Sequence, residues 1–321
     1  MNLRSSLYAG GLFVAGLTVA LGVAEAVLRF SGPSAQAQHM DAGLIEHHPR
    51  FGWQLAKNWQ GTHEHDDYTA QYRTTPFRTR TTGGVAHGAG ELVLIGDSFT
   101  FGLGVADDAT FAALLQDVAE HPISNHGLPA SSPDQHLLRL EPMNLGRTEQ
   151  LVMLIYLGND LLDLTRTVHL QAPHAKPRSA LRDNRLSVLN VPVPKTPQEA
   201  AASHGSITEY LLEGSEWDRP LALLQLLVTL APPSSAELAP WFERRFQTER
   251  GLLEAILART ELSLRSRSIR LTVAILPGRE VYANPDSVLA SFQRQAARWV
   301  AASTGRRNIA TVDLTPTMRA E

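Results

Sequence analysis

Three short segments of this chain bring together a hydroxyl, a carboxamide and glycine backbone at the ends of apolar runs. The first is Leu92-Val93-Leu94-Ile95-Gly96-Asp97-Ser98-Phe99-Thr100-Phe101-Gly102, in which the run delivers Ser98 into a glycine-containing turn ahead of a helix-forming stretch. Asn125-His126-Gly127 follows a second run, and Gly158-Asn159-Asp160 a third. A serine hydroxyl becomes a nucleophile when activated, and glycine lets backbone approach a substrate closely. A carboxamide donates hydrogen bonds without bringing a charge. Taken singly, each tripeptide is an ordinary capping or loop-closing turn. Three in succession, each ending a strand, are hard to obtain as unrelated turns.

The elements that must position them alternate. The pattern predicts strands over Glu91 to Ile95, Ile123 to Asn125, Leu151 to Leu157, Ile269 to Leu276 and Ile309 to Val312. Helices are predicted over Ala109 to Val118, Pro133 to Glu141, Trp241 to Leu264 and Pro285 to Ala302. The first has Phe111, Leu114, Leu115 and Val118 as its apolar positions. Such alternation implies an α/β fold with a five-stranded parallel sheet in the flavodoxin-like order 2-1-3-4-5 and helices on both faces. Reactive groups in that architecture collect beyond the carboxyl ends of strands, where Ser98 falls. The chain divides into an N-terminal apolar segment (1–30), a lead segment with short strands (31–90) and the α/β domain (91–321). A proline-rich, loop-rich, cap-like insertion spans 165–240, and its apolar Leu221 to Leu230 reads as a helix that must pack on something.

The three segments resemble blocks I, II and III of the SGNH/GDSL hydrolases. The continuation Phe99-Thr100-Phe101-Gly102, the lead Phe51-Gly52-Trp53 and the pair Phe77-Arg78 are similar to membrane-anchored bacterial members. The resemblance implies that Ser98 is the nucleophile of an esterase or acyl-transfer protein. It further implies an oxyanion hole formed by the Ser98 and Gly127 N–H groups with the Asn159 amide. Asp97 and Asp160 are expected to orient loops behind them. The implied substrate is an extracytoplasmic ester, either an O-acyl group on a polysaccharide or a lipid-like ester.

The family's last block, an Asp-x-x-His arrangement after the fifth strand, has no counterpart between Asp313 and Glu321, and all twelve histidines lie at or before position 204. Serine without its base is a weak nucleophile. The resemblance therefore predicts either a truncated, weakly active hydrolase or a noncatalytic binding or assembly protein of the same fold, acting in envelope or polysaccharide biogenesis. His126, His169 and His174 are the histidines that could stand in, but neither motif nor spacing places an imidazole on Ser98. The run His63-Glu64-His65-Asp66-Asp67 reads as a solvated loop rather than a metal site.

Composition narrows the remaining classes. The 43% hydrophobic and 19% charged residues fit a folded domain, and a net charge of -3 offers no basic surface for nucleic acid. Without cysteine there are no disulfides, thiolate metal sites or cysteine nucleophiles. No cofactor and no metal is expected. Leu7 to Ala24 is uncharged and apolar, and about 1.5 Å of rise per residue gives it roughly the thickness of a bilayer core. An uncleaved membrane anchor over 7–30 with the catalytic domain outside the cytoplasm, periplasmic in a Gram-negative cell, is the favoured reading. A secretory signal cut near Ala24 and Ala26, or near Ala35 and Ala37, is its rival.

Overall fold

The computed structural model describes residues 16–25, 38–82, 92–119, 121–146, 148–169, 172–183, 185–196, 199 and 235–318. Residues 16–25 form helix α1, on which Leu17, Val19, Leu21 and Val23 are exposed. The rest of the 7–30 segment lies outside the described residues, as does Leu221 to Leu230. Among the described residues no helix is long and apolar enough to cross a membrane.

The chain opens with five short strands, β1 (Gln38–Met40), β2 (Ile45–His48), β3 (Gly52–Leu55), β4 (Gln60–His65) and β5 (Tyr68–Arg73). They pair antiparallel as β1-β4-β5 and β2-β3. His63 departs from the expected solvated loop. It lies within β4, is 1% exposed and shares a 2.8 Å hydrogen bond with the Tyr72 hydroxyl. Alternation along β4 and β5 turns His63, Ala70 and Tyr72 inward.

The central sheet consists of β6 (Leu92–Gly96), β7 (Ile123–Gly127), β8 (Gln150–Tyr156), β11 (Arg270–Leu276) and β12 (Ala310–Asp313). All its pairings are parallel and the spatial order is β7-β6-β8-β11-β12, so in chain order its strands lie 2-1-3-4-5. β8 and β11 are apolar along nearly their whole length because both their faces are covered. On one face Val93, Ile95, Met153, Ile155 and Val273 pack in one cluster with side chains of the helices α4 (Pro133–Leu140), α6 (Gln247–Arg265) and α7 (Val288–Gly305). On the other, Leu94 and Ile123 meet Ala112 of α3 (Phe111–Val118).

Three elements differ from expectation. On α3 the small Ala112 and Ala113 face the sheet, whereas Phe111, Leu114, Leu115 and Val118 are exposed. Hydropathy marks an apolar stripe but not which side of a helix meets the sheet. The expected Trp241 to Leu264 helix is two helices, α5 (Ser235–Arg245) and α6. The break is at Phe246, whose ring packs 4.7 Å from that of Phe292. The insertion contributes an antiparallel hairpin of β9 (Arg178–Arg182) and β10 (Arg185–Leu189).

Arg80 joins the lead segment to the α/β domain. It is 1% exposed, and its Nε donates to Asp107 Oδ1 at 2.6 Å. Its Nη atoms reach the carbonyls of Phe101, Gly102 and Val105, while the guanidinium lies 4.3 Å from the Tyr72 ring centre. Burial lowers the Arg80 pKa and the Asp107 carboxylate opposes that shift. Asp107→Ala leaves this guanidinium buried without its anion and should cost about 3 to 5 kcal/mol. Urea unfolding of the two proteins checks this; a loss below about 1 kcal/mol would mean that the carbonyls alone hold Arg80.

Candidate active site

Ser98 begins a four-residue helix, α2 (Ser98–Phe101), directly after β6. The helix is fixed from its amino end by Asp97, whose Oδ1 accepts the Phe99 N–H at 2.9 Å. At its carboxyl end Gly102 takes a left-handed conformation with φ 81°. Ser98 is half-buried and opens on a cleft of about 760 Å³. Asn159, Gly158, Ala130, Asp163, Arg166, His169 and Tyr156 line the same cleft. The structure thus brings Ser98 and Asn159 to one cavity at the carboxyl ends of β6 and β8.

Gly127 does not join them, and this corrects the role expected for it. It is buried at the end of β7, and its N–H donates to Asn125 Oδ1 at 2.9 Å. A Cβ placed there would lie 2.1 Å from the Phe101 nitrogen and 2.5 Å from the Thr100 carbonyl carbon. Glycine is required because the backbone of α2 rests directly on it, not because a substrate does.

Ala130, three residues on, does line the cleft. Leu128-Pro129-Ala130-Ser131 forms a turn closed by the Ser131 N–H on the Leu128 carbonyl at 3.2 Å, with Ala130 at φ 62°. A positive φ at the third residue after a proline is the pattern of a type II turn. Its central N–H, that of Ala130, stands outside the turn's own hydrogen bond. Among the described residues neither this N–H nor that of Ser98 meets an acceptor. The only sequence signal was Pro129, since alanine does not advertise a left-handed conformation as glycine or asparagine would.

The Asn159 amide is aimed by Asp163, whose Oδ2 accepts from Nδ2 at 2.7 Å, leaving the second amide hydrogen for another acceptor. Asp163 lies in a 3₁₀ turn (Leu162–Thr165), and its carboxylate is also 3.2 Å from Arg166 Nη1 and 3.3 Å from His169 Nε2. Burial would push the Asp163 carboxyl upward. The hydrogen bond and charge of His169, the charge of Lys176 and the Asn159 amide outweigh burial and hold it below its ordinary value.

Asp97 and Asp160 are buried behind the serine, and each binds backbone, Asp160 Oδ2 accepting the Tyr156 N–H at 2.8 Å. Burial pushes Asp97 up to about 6 against the N–H groups of Phe99, Thr100 and Asp97 itself. Burial and then the neighbouring Asp97 charge push Asp160 well above its ordinary value. Burial also raises Tyr156 to about 12, so its phenol in the cleft is neutral. Its ring packs 4.1 Å from that of Phe99.

Of the three histidines that could stand in as base, two are elsewhere. His126 is buried, depressed to about 3 by burial and by Arg139, and lines a separate cavity with Arg139. His174 Nδ1 bonds the Lys195 carbonyl at 2.7 Å. His169 lines the Ser98 cleft. Among the described residues no group of three or more acidic or histidine side chains could hold a metal ion.

No protein-family model matches this sequence, and neither does any curated protein. Among solved structures, a protein from Desulfitobacterium hafniense DCB-2, described as lipolytic and of the G-D-S-L family, aligns at 14% identity and a TM-score of 0.34. That alignment covers 70% of this chain and 76% of the other. A second crystal structure aligns at 13% identity and a TM-score of 0.35, covering 73% and 79% respectively.

Two expectations follow from these contacts. Gly127→Ala should destabilise the fold by about 3 kcal/mol or more, the upper range of overpacking, because the obstructing atoms are backbone. A near-neutral effect in urea unfolding would refute the direct packing of α2 on Gly127. A carboxyl raised on folding stabilises most below its unfolded pKa and loses that contribution as pH climbs through the folded one. For Asp97 that window runs from 3.8 to about 6. Asp97→Asn can still accept from Phe99 but has no charge to bury. Its stability relative to the parent should therefore improve from about pH 4 to about pH 7. A pH-independent difference in parallel urea titrations would contradict the raised carboxyl.

Proposed function

We propose that this protein hydrolyses an acyl ester, or transfers its acyl group, with Ser98 as nucleophile. One observation carries the reading. Ser98 opens on the cleft that Ala130 and Asn159 also line, so two backbone N–H groups that meet no acceptor among the described residues and an amide aimed by Asp163 belong to residues of one cavity. Attack of Oγ on an ester carbonyl moves charge onto the carbonyl oxygen, and donors fixed beforehand stabilise that charge without reorganising. The Ser98 N–H, the Ala130 N–H and the Asn159 amide fill this role, with Ala130 taking the place first given to Gly127. All three are neutral, so the cleft gains no fixed charge that water must solvate before substrate arrives.

The substrate belongs to the ester class named from the sequence, a polysaccharide O-acyl group or a lipid-like ester. Phe99, Leu103, Val105 and Phe111 supply apolar surface for an acyl chain or a sugar face, while Arg166 and Glu280 supply polar contacts. The uncharged run Leu7 to Ala24 supports an anchored protein whose cleft lies outside the cytoplasm.

The test is release of a chromophore from short-chain activated esters by the full chain in detergent. Ser98→Ala should abolish the release. Asn159→Ala should lower kcat by about 10² to 10³-fold, the effect of losing one oxyanion donor. Saturable ester binding without release, unaltered by Ser98→Ala, would replace the catalytic reading with the binding one.

A further inference from the structure

We propose that His169, oriented by Asp163, takes the proton from Ser98 and returns it to the leaving oxygen; this rests on the ester-chemistry reading of the same cleft. The proton carrier then comes from the segment after β8.

Position is the first argument. Among the described residues, His169 is the histidine that lines the cleft shared by Ser98, Ala130 and Asn159. Its side chain is 11% exposed, so it is enclosed on most sides yet still faces the cavity. Chemistry is the second. With Nε2 at 3.3 Å from Asp163 Oδ2, the carboxylate favours the tautomer that carries its proton on Nε2. The basic lone pair is then on Nδ1. An imidazolium formed during attack would be stabilised by Asp163, the division of labour between imidazole and carboxylate in serine hydrolysis.

The surrounding charges fit that role. Asp163 lies against the ring, Arg166 and Glu280 line the same cleft, and Lys176 is 3.2 Å from the Asp134 carboxylate behind it. The His169 charge also acts on Asp97, the residue preceding Ser98. Asp163 holds the Asn159 amide as well, so one carboxylate sets the orientation of both an oxyanion donor and the proton carrier. Hydrogen bonds between a nucleophile and its base commonly tighten only when substrate enters.

The steps balance without any co-reactant except water. The Ser98 Oγ–H proton moves to His169 as Oγ bonds to the ester carbon and the carbonyl π electrons move onto oxygen. The oxyanion collapses, the carbon–alkoxide bond breaks and the imidazolium protonates the departing alcohol. Water attacks the acyl-serine, giving its proton to His169. The acyl–Oγ bond then breaks, and Ser98 recovers the proton as the carboxylic acid leaves. If a second alcohol replaces water, the same sequence transfers the acyl group.

The experiment uses the full chain in detergent, an activated acetyl ester and a fluorophosphonate that labels only activated serines. His169→Asn should lower kcat by about 10² to 10⁴-fold with KM little changed, the usual scale of general-base loss. Added imidazole should restore part of the turnover of His169→Gly and none of that of Ser98→Ala. A merely structural histidine would not produce that pattern. Thermal melts accompany each variant. If His169→Asn fails to fold, His169→Gln and the rescued His169→Gly carry the measurement. Undiminished turnover in folded His169 variants, with Ser98→Ala inactive, overturns the role of His169 and leaves the ester reading standing. Absence of both Ser98 labelling and ester turnover in the parent overturns both.

Discussion

A serine that ends a strand and opens on a cleft must be held by something more than the helix it begins. Four residues form barely one turn, and an isolated helix of that length has no stability of its own. The position of Ser98 therefore depends on contacts from outside α2. Asp97 satisfies its Phe99 N–H, Gly127 of β7 carries its backbone, and Arg80 takes the carbonyls of Phe101 and Gly102. The last contact explains why the lead segment belongs to the site. Tyr72, Phe101, Leu128 and Ala130 share one small core with Trp53 and Leu55, so the antiparallel strands buttress both the serine turn and the Ala130 turn.

Three aspartates of one chemical type are driven apart by their surroundings. Asp97 and Asp160 are both raised by burial, and the Asp97 charge raises Asp160 further. Asp163 is also buried, but His169, Lys176 and Asn159 reverse the direction. Negative charge is thus favoured at Asp163 and disfavoured directly behind Ser98. That separation suits a reaction that creates an anion at the serine end of the cleft and a cation at the histidine end.

Much of this was legible in the sequence, for identifiable reasons. Strands covered on both faces write themselves as continuous apolar runs, so β6, β8 and β11 could be read within a residue or two. Ser98 and Asn159 followed because they terminate such runs. Gly127 showed that backbone approaches something closely, but not whether that neighbour was a ligand or the Thr100–Phe101 peptide. Ala130 was illegible because its conformation is imposed by the turn and by Trp53, whose Nε1 donates to the Pro129 carbonyl at 3.0 Å. His169 could be named only alongside His126 and His174, for another reason. It belongs to an aperiodic segment whose path is set by tertiary bonds such as the Lys176 N–H to the Thr167 carbonyl at 2.8 Å.

The walls of the cleft consequently differ in mechanical origin. Ser98 and Ala130 follow adjacent parallel strands and are backed by the lead core, where a displacement would disturb many packed groups at once. Asn159, Asp163, Arg166 and His169 follow β8 on a segment whose Leu161 and Leu164 are buried in the main core and whose polar side chains meet at the Asp163 carboxylate. Those polar side chains can change without unseating Ser98. Lys176 limits that freedom at its base, because its buried ammonium joins Asp134 of α4 to the Asp163 carbonyl at 2.7 Å. The helix following the Ala130 turn and the turn bearing Asp163 are thereby tied to one cation. Backbone donors on one wall and polar side chains on the other are joined through that tie.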